Sequence, residues 1–185
     1  MYGRLAANWV YGTALMAPIL LMLIPLMALD RTGRLILLAL PLYMIHQYEE
    51  HDNDRFRLFV NEMVGAGKRG LSLSAVLIVN VIGVWVVIVV ALWLYNEIAP
   101  GWGLIVAYLL GINALVHILQ AMVRRVYNPG LVTAVVGFVP LAWMIWSRLL
   151  PASSPIEHIV GVGLVLAVHA AIFWWATRPT GPHPN

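Results

Sequence analysis

His46-Gln47-Tyr48-Glu49-Glu50-His51-Asp52 closes an apolar segment that carries no charge after Arg34. His46, Glu49 and Glu50 stand at i, i+3 and i+4, so a helix running through both parts projects all three from one face. Ionisable groups at the edge of hydrocarbon are costly and are read as functional, each with a partner to be named. Imidazole and carboxylate together are the ligand set of a divalent metal such as zinc or iron, in a mono- or dinuclear centre. Soluble di-iron bundles set a Glu and a His three residues apart on an inward helix face, and His46 with Glu49 has that spacing in reverse order. Whichever of Glu49 and Glu50 is left off the metal can act as a general base.

Partners at a matching depth come from three other segments. Asn113, His117, Gln120 and Arg124 fall at i, i+4, i+7 and i+11, one polar stripe on an otherwise apolar helix. Such a stripe faces the bundle interior. His169 is alone among Val, Leu, Ala and Ile, so its partner must come from another helix. At about 1.5 Å per residue, His46 lies ~9 Å, His117 ~10 Å and His169 ~13 Å from the same end of their spans. Asn80 at ~13–15 Å and Asn113 at ~16 Å share that half of the layer. Metal ligands are therefore expected at His46, Glu49 and/or Glu50, His117 and His169. Asn80, Asn113, Gln120 and Arg124 are expected to orient those rings or touch substrate.

The elements that must position these residues are membrane helices. The 185-residue chain is 62% hydrophobic and 10% charged, with a mean hydropathy of +0.86. Soluble domains sit near about 45–50% apolar and about 25% charged. The fold class read from this is all-α, a polytopic helical bundle forming one transmembrane domain over 1–185. About 20 apolar residues cross the hydrocarbon. Six spans follow, at about 9–29, 35–51, 71–95, 102–123, 131–150 and 156–177, with a possible interfacial helix over 54–64. In that helix Phe56, Phe59, Val60 and Met63 would face lipid. Span 35–51 crosses only if protein shelters its polar end.

The 11 Lys and Arg residues divide unevenly under this topology. Arg4, Arg55, Arg57, Lys68, Arg69, Arg124, Arg125 and Arg178 fall on one side, and Arg31, Arg34 and Arg148 on the other. The positive-inside rule then puts both termini in the cytoplasm. The first apolar stretch is too long for a signal-peptide core and has no Ala-x-Ala exit, so it reads as a retained span.

Other classes drop out. There is no cysteine, which removes disulfides, thiolate metal sites and cysteine nucleophiles. No basic, aromatic-interleaved surface suggests nucleic acid. His-Glu-x-x-His and Gly-x-Ser-x-Gly motifs are absent, as are Walker-type loops and the repeated His boxes of membrane desaturases. Simpler readings stand beside the metal site. Glu49 and Glu50 can mark a helix end at the headgroups, with His51 and Asp52 solvated, and His117 can be a packing histidine bonded to Asn80 or a carbonyl. His158 reads as a surface residue near the far interface, and His183 belongs to a Pro-rich tail. Most tryptophans fall near span ends, as in an aromatic belt. Arg124-Arg125 with Lys68-Arg69 fits either a phosphate or lipid headgroup or the charge bias alone.

His46-Gln47-Tyr48-Glu49-Glu50 resembles the signature of the HXXEE family of small prokaryotic membrane proteins, named for that pentapeptide. Asn113-x-x-x-His117 and Arg124-x-x-Tyr127-Asn128-Pro129-Gly130 are compatible with it and extend the likeness over most of the chain. The resemblance implies signature roles for His46, Glu49 and Glu50 and a prokaryotic cytoplasmic membrane, with no established reaction. A fainter likeness is to sterol-isomerase-type membrane enzymes, which use a His and a Glu four apart on a helix.

The first functional expectation is a metal-dependent membrane enzyme acting on a lipid or other apolar substrate that enters between helices. An alternative keeps the pocket without metal: an isomerase or cyclase in which Glu49 or Glu50 and a histidine move protons on an isoprenoid or sterol-like substrate. A third is a non-enzyme, either a metal or proton transporter or a haem b protein with His117 and His169 as axial ligands. The partners expected are the bilayer and an apolar small-molecule or lipid substrate, with no nucleic acid.

Overall fold

A computed structural model describes residues 2–179; His183 lies outside the described residues. Every regular element among the described residues is helical. The helices are α1 (Tyr2–Leu23), α2 (Arg31–His51), α3 (Arg55–Val64), α4 (Leu73–Glu97), α5 (Leu104–Arg124), α6 (Leu131–Ala152) and α7 (Pro155–Thr177). Five of them, α1 and α4 to α7, are long and apolar enough to cross a membrane. The chain is an integral membrane helical bundle. The sixth expected span, α2, has 21 residues, about 31 Å at 1.5 Å per residue. Its closing polar heptapeptide keeps it out of that set.

Local chemistry fixes the ends. Asp30 caps α2, its carboxylate accepting from Gly33 N at 2.7 Å, and the Tyr95 hydroxyl of α4 donates to the same carboxylate. Capping starts α2 at Arg31, ahead of its uncharged apolar run. Ser72 caps α4 through Ala75 N at 3.1 Å. Ser154 and Glu157 form a reciprocal capping box at the start of α7. After α2 the chain reverses sharply: Asn53 and Asp54 have φ of 54° and 62°, a left-handed pair that short side chains able to bond locally tolerate.

The main core lies where α2, α4, α5 and α6 meet, with Ile36, Tyr43, Ile88, Leu110, Phe138 and Ile145 closed off from solvent. A second cluster joins α1, α3, α4 and α7 through Trp9, Val10, Val60, Val76 and Ala176. Large apolar side chains remain exposed on the outer helices, among them Leu15, Met22, Val123, Val136 and Phe173. Bilayer contact accounts for such a surface where water would not. Two helices carry π-helical stretches, Val79–Val86 in α4 and Ala134–Phe138 in α6. Insertions of this kind gather at functional sites, and both border the polar cluster described next.

The helix expected over 54–64 is observed as α3, but its apolar face is turned the other way. Phe56, Val60 and Met63 line a partly open cavity within the bundle, and Phe59 packs against the cluster that joins α1, α3, α4 and α7. The left-handed reversal at Asn53 and Asp54 folds α3 back beneath α4 and α7, which is why no hydropathy pattern disclosed it.

Candidate metal centre

His46 is closed to solvent, Glu50 is 6% exposed and His117 is 3% exposed. One turn of α2 separates His46 from Glu50, so they share a face, and α5 supplies His117 from across the core. His46 Nε2 lies 3.6 Å from Glu50 Oε2, and His117 Nε2 lies 3.1 Å from Glu50 Oε1. The two imidazoles meet edge to face with centroids 5.0 Å apart. One ligand atom from each of His46, Glu50 and His117 can be chosen so that all lie within 4.8 Å of one another.

The outer contacts decide which ring nitrogen is bare. The Asn128 amide donates from Nδ2 to the His117 carbonyl at 2.9 Å, so its Oδ1 faces His117 Nδ1 at 2.6 Å and accepts from it. Thr133 donates its hydroxyl proton to Glu49 Oε2 at 2.5 Å, leaving Oγ1 to accept from His46 Nδ1 at 2.8 Å. In both neutral rings the proton is therefore on Nδ1, and the Nε2 lone pairs face Glu50. His46 Nε2 has no hydrogen-bond partner. Two lone pairs opposed to a buried carboxylate repel unless a cation stands among them. A divalent metal could satisfy all three at once. Imidazoles held at their second nitrogen by a carbonyl or carboxylate relay are how metal-ligating histidines are normally oriented.

Glu49 does a different job from Glu50. It accepts from Val132 N at 3.0 Å, Thr133 N at 2.8 Å, the Thr133 hydroxyl and the Tyr127 hydroxyl at 2.7 Å. It thus occupies the amino-terminal turn of α6, where free N–H groups and the helix dipole favour an anion. Partial burial, with the Glu49 carboxylate beside it, raises the Tyr127 phenol above its ordinary value, so it remains a donor. A Glu49→Gln variant should lose about 1–2 kcal/mol of stability, because the amide sets N–H groups against N–H and O–H donors. Its metal affinity should fall about 10–100-fold through the loosened Thr133–His46 contact. Thermal melting and a metal titration measure the two effects.

His51 is also inside, at 6% exposed, contrary to the solvated position that its place at the helix end suggested. Its Nε2 lies 3.3 Å from Glu50 Oε2 and 3.3 Å from Asn80 Nδ2. Trp85 Nε1 donates to Gln47 Oε1 at 2.8 Å, and Gln47 Nε2 donates to Asn80 Oδ1 at 2.8 Å. That chain fixes the Asn80 amide, whose N–H groups point to His51 and to the Val76 carbonyl. Asn80 therefore reaches the cluster through His51, at the start of the π-helical stretch of α4.

Glu50, His51 and His117 form one wall of an apolar cavity of about 600 Å³. Asn113, Gln120 and His169 line it too, and Asn113 Oδ1 and Gln120 Oε1 are buried without partners. His169 Nδ1 donates to the Val165 carbonyl one turn back, at 2.9 Å, and His169 is not among the ligand atoms that cluster. Arg124 is exposed at the end of α5.

Asn128, Thr133 and Gly130 were not singled out from sequence as site residues. Gly130 has φ +96°, and a Cβ there would come within 2.6 Å of Glu50 Cγ and 2.8 Å of Cε1 in both His46 and His117. The one available signal was the Asn-Pro-Gly turn that begins 11 residues beyond His117. It reads as a plain helix stop unless the return of α6 beside α2 is known.

A family model described as "Protein of unknown function with HXXEE motif" matches residues 37–145. No curated protein and no solved structure matches the chain.

Proposed function

The chain belongs to the HXXEE family, and from that premise and the geometry above we propose that it is a metal-dependent membrane enzyme acting on an apolar or lipid substrate. The observation that carries this is the convergence of His46 Nε2 and His117 Nε2 on the buried Glu50 carboxylate, at 3.6 and 3.1 Å. His46, Glu50 and His117 hold the ion, and zinc or iron fits their donor set. The ion supplies Lewis acidity toward an oxygen of the substrate. Glu49 and Thr133 lock the His46 ring, and Asn128 locks the His117 ring. The mostly apolar lining of the cavity beside them lowers the local dielectric and so strengthens charge interactions at the site. Asn113 and Gln120, each with a free oxygen, position a donor group of the substrate. With α2 taken as a sixth crossing, the excess of basic residues on one side supports a site in the cytoplasmic half and cytoplasmic termini.

The geometry has one competing occupant, the proton. Protons on the two Nε2 atoms would also bridge to Glu50 and would give the metal-free isomerase reading. Purified protein incubated with a lipid extract, with and without a chelator, separates them by mass spectrometry of the lipids. Conversion should vanish on chelation and return with added zinc or iron. Conversion that persists without metal assigns the chemistry to proton transfer by Glu50 and the histidines.

A further inference from the structure

The loop before α4 lies against the end of α7 and brings unpaired cations to the rim of the cavity. Arg69 N donates to the Arg178 carbonyl at 2.8 Å, and Gly70 N to the Ala176 carbonyl at 2.9 Å. The Arg69 guanidinium stacks 4.1 Å from the Trp175 ring centroid. That of Arg178 stacks at 4.2 Å from Trp175 and 4.3 Å from Trp174. Two guanidiniums on one indole repel each other, yet neither has a carboxylate partner among the described residues. Arg178 Nε is buried without an acceptor. Lys68 is adjacent, paired through its backbone to Pro179.

The cavity begins where this cluster ends: Leu71, Phe173 and Ala176 belong to its lining. Phe173 and Trp174 are 71% and 60% exposed, as expected of rings at a membrane interface. Arg69 is exposed and Arg178 half-buried, both stacked on aromatic faces, and neither guanidinium has an anionic partner among the described residues. A planar guanidinium fork matches phosphate geometry.

We propose that Lys68, Arg69 and Arg178 hold the phosphate of an anionic amphiphile whose chain enters the cavity. The substrate class is then a net-anionic lipid with an uncapped phosphate. This rests on reading the cavity as the substrate site, and it stands or falls separately from the metal.

Native mass spectrometry of the full chain tests it, because one spectrum reports both bound lipid and bound metal. The probes are didecanoyl phosphatidic acid, didecanoyl phosphatidylcholine and inorganic phosphate. Wild type should prefer phosphatidic acid over phosphatidylcholine by about 10-fold or more. In R69Q/R178Q the preference should fall to about 2-fold or less, with metal content unchanged. A75F and V116F, which fill the cavity from α4 and α5, should each lose the lipid adduct; having two keeps the test readable if one fails to fold. A preference that survives R69Q/R178Q overturns the proposal. So does lipid retention in a folded cavity-filled variant, which would mark a boundary lipid. Inorganic phosphate binding as tightly as phosphatidic acid would equally overturn it.

Discussion

Gly130→Ala should dismantle the site from a position that bears no functional group. The added methyl meets Glu50, His46 and His117 together, at 2.6–2.8 Å, closer than carbon atoms pack. It also forces a Cβ onto φ +96°, where L-residues are strained by about 1–2 kcal/mol. Overpacking adds about 1–3 kcal/mol. A total loss of about 2–5 kcal/mol is expected in unfolding experiments, together with loss of metal binding. The neighbours cannot yield cheaply, because both rings are pinned at Nδ1 and Glu50 is enclosed. Gly65→Ala is the control: φ is +76° with nothing within 4 Å of the added atom. It should show backbone strain alone and full metal content. If Gly130→Ala binds metal like wild type, the crowding argument is wrong.

Glu50→Gln should leave the fold and remove the metal. The amide can donate to one of the facing Nε2 lone pairs, so the metal-free variant is better satisfied than the metal-free wild type. Losing the only carboxylate in the cluster removes both a donor and the charge that balances a divalent ion in low dielectric. Affinity should fall by more than about 100-fold, since disturbing only the outer shell of such sites costs 10–100-fold. A metal at 100 times its dissociation constant stabilises wild type by about 2.7 kcal/mol. Added metal should therefore raise the melting temperature of wild type and leave that of Glu50→Gln unchanged. A shift of equal size in both proteins would place the metal elsewhere.

The ligand set was partly legible in the sequence because helical spacing and depth are carried by local pattern. His46 and Glu50 are four apart, and His117 lies at their depth on a polar stripe; the structure brings these three together. What separates Glu49 from Glu50 is about 100° of helical rotation, and the two carboxylates are alike until the neighbours on each side are known. Glu49 faces the start of α6, 83 residues later. Thr133, Asn128 and Gly130 act through the same return of the chain, so a reading confined to one helix could not find them. His169 shares the depth, but its ring is turned back to its own helix. Burial of His51 depends on α3 folding inward, which follows from two left-handed residues and not from hydropathy. The helical bundle itself was legible from composition, because only a bilayer accommodates so much apolar surface.

The most direct measurement is elemental analysis of the purified full chain, paired with anomalous scattering from its crystals at the zinc and iron edges. The account predicts about one metal per chain and an anomalous peak among His46 Nε2, His117 Nε2 and the Glu50 carboxylate. It also predicts that His46→Ala and His117→Ala abolish the peak. Folded protein reconstituted with excess zinc or iron that shows no peak there, or the same metal content in both alanine variants as in wild type, would contradict it.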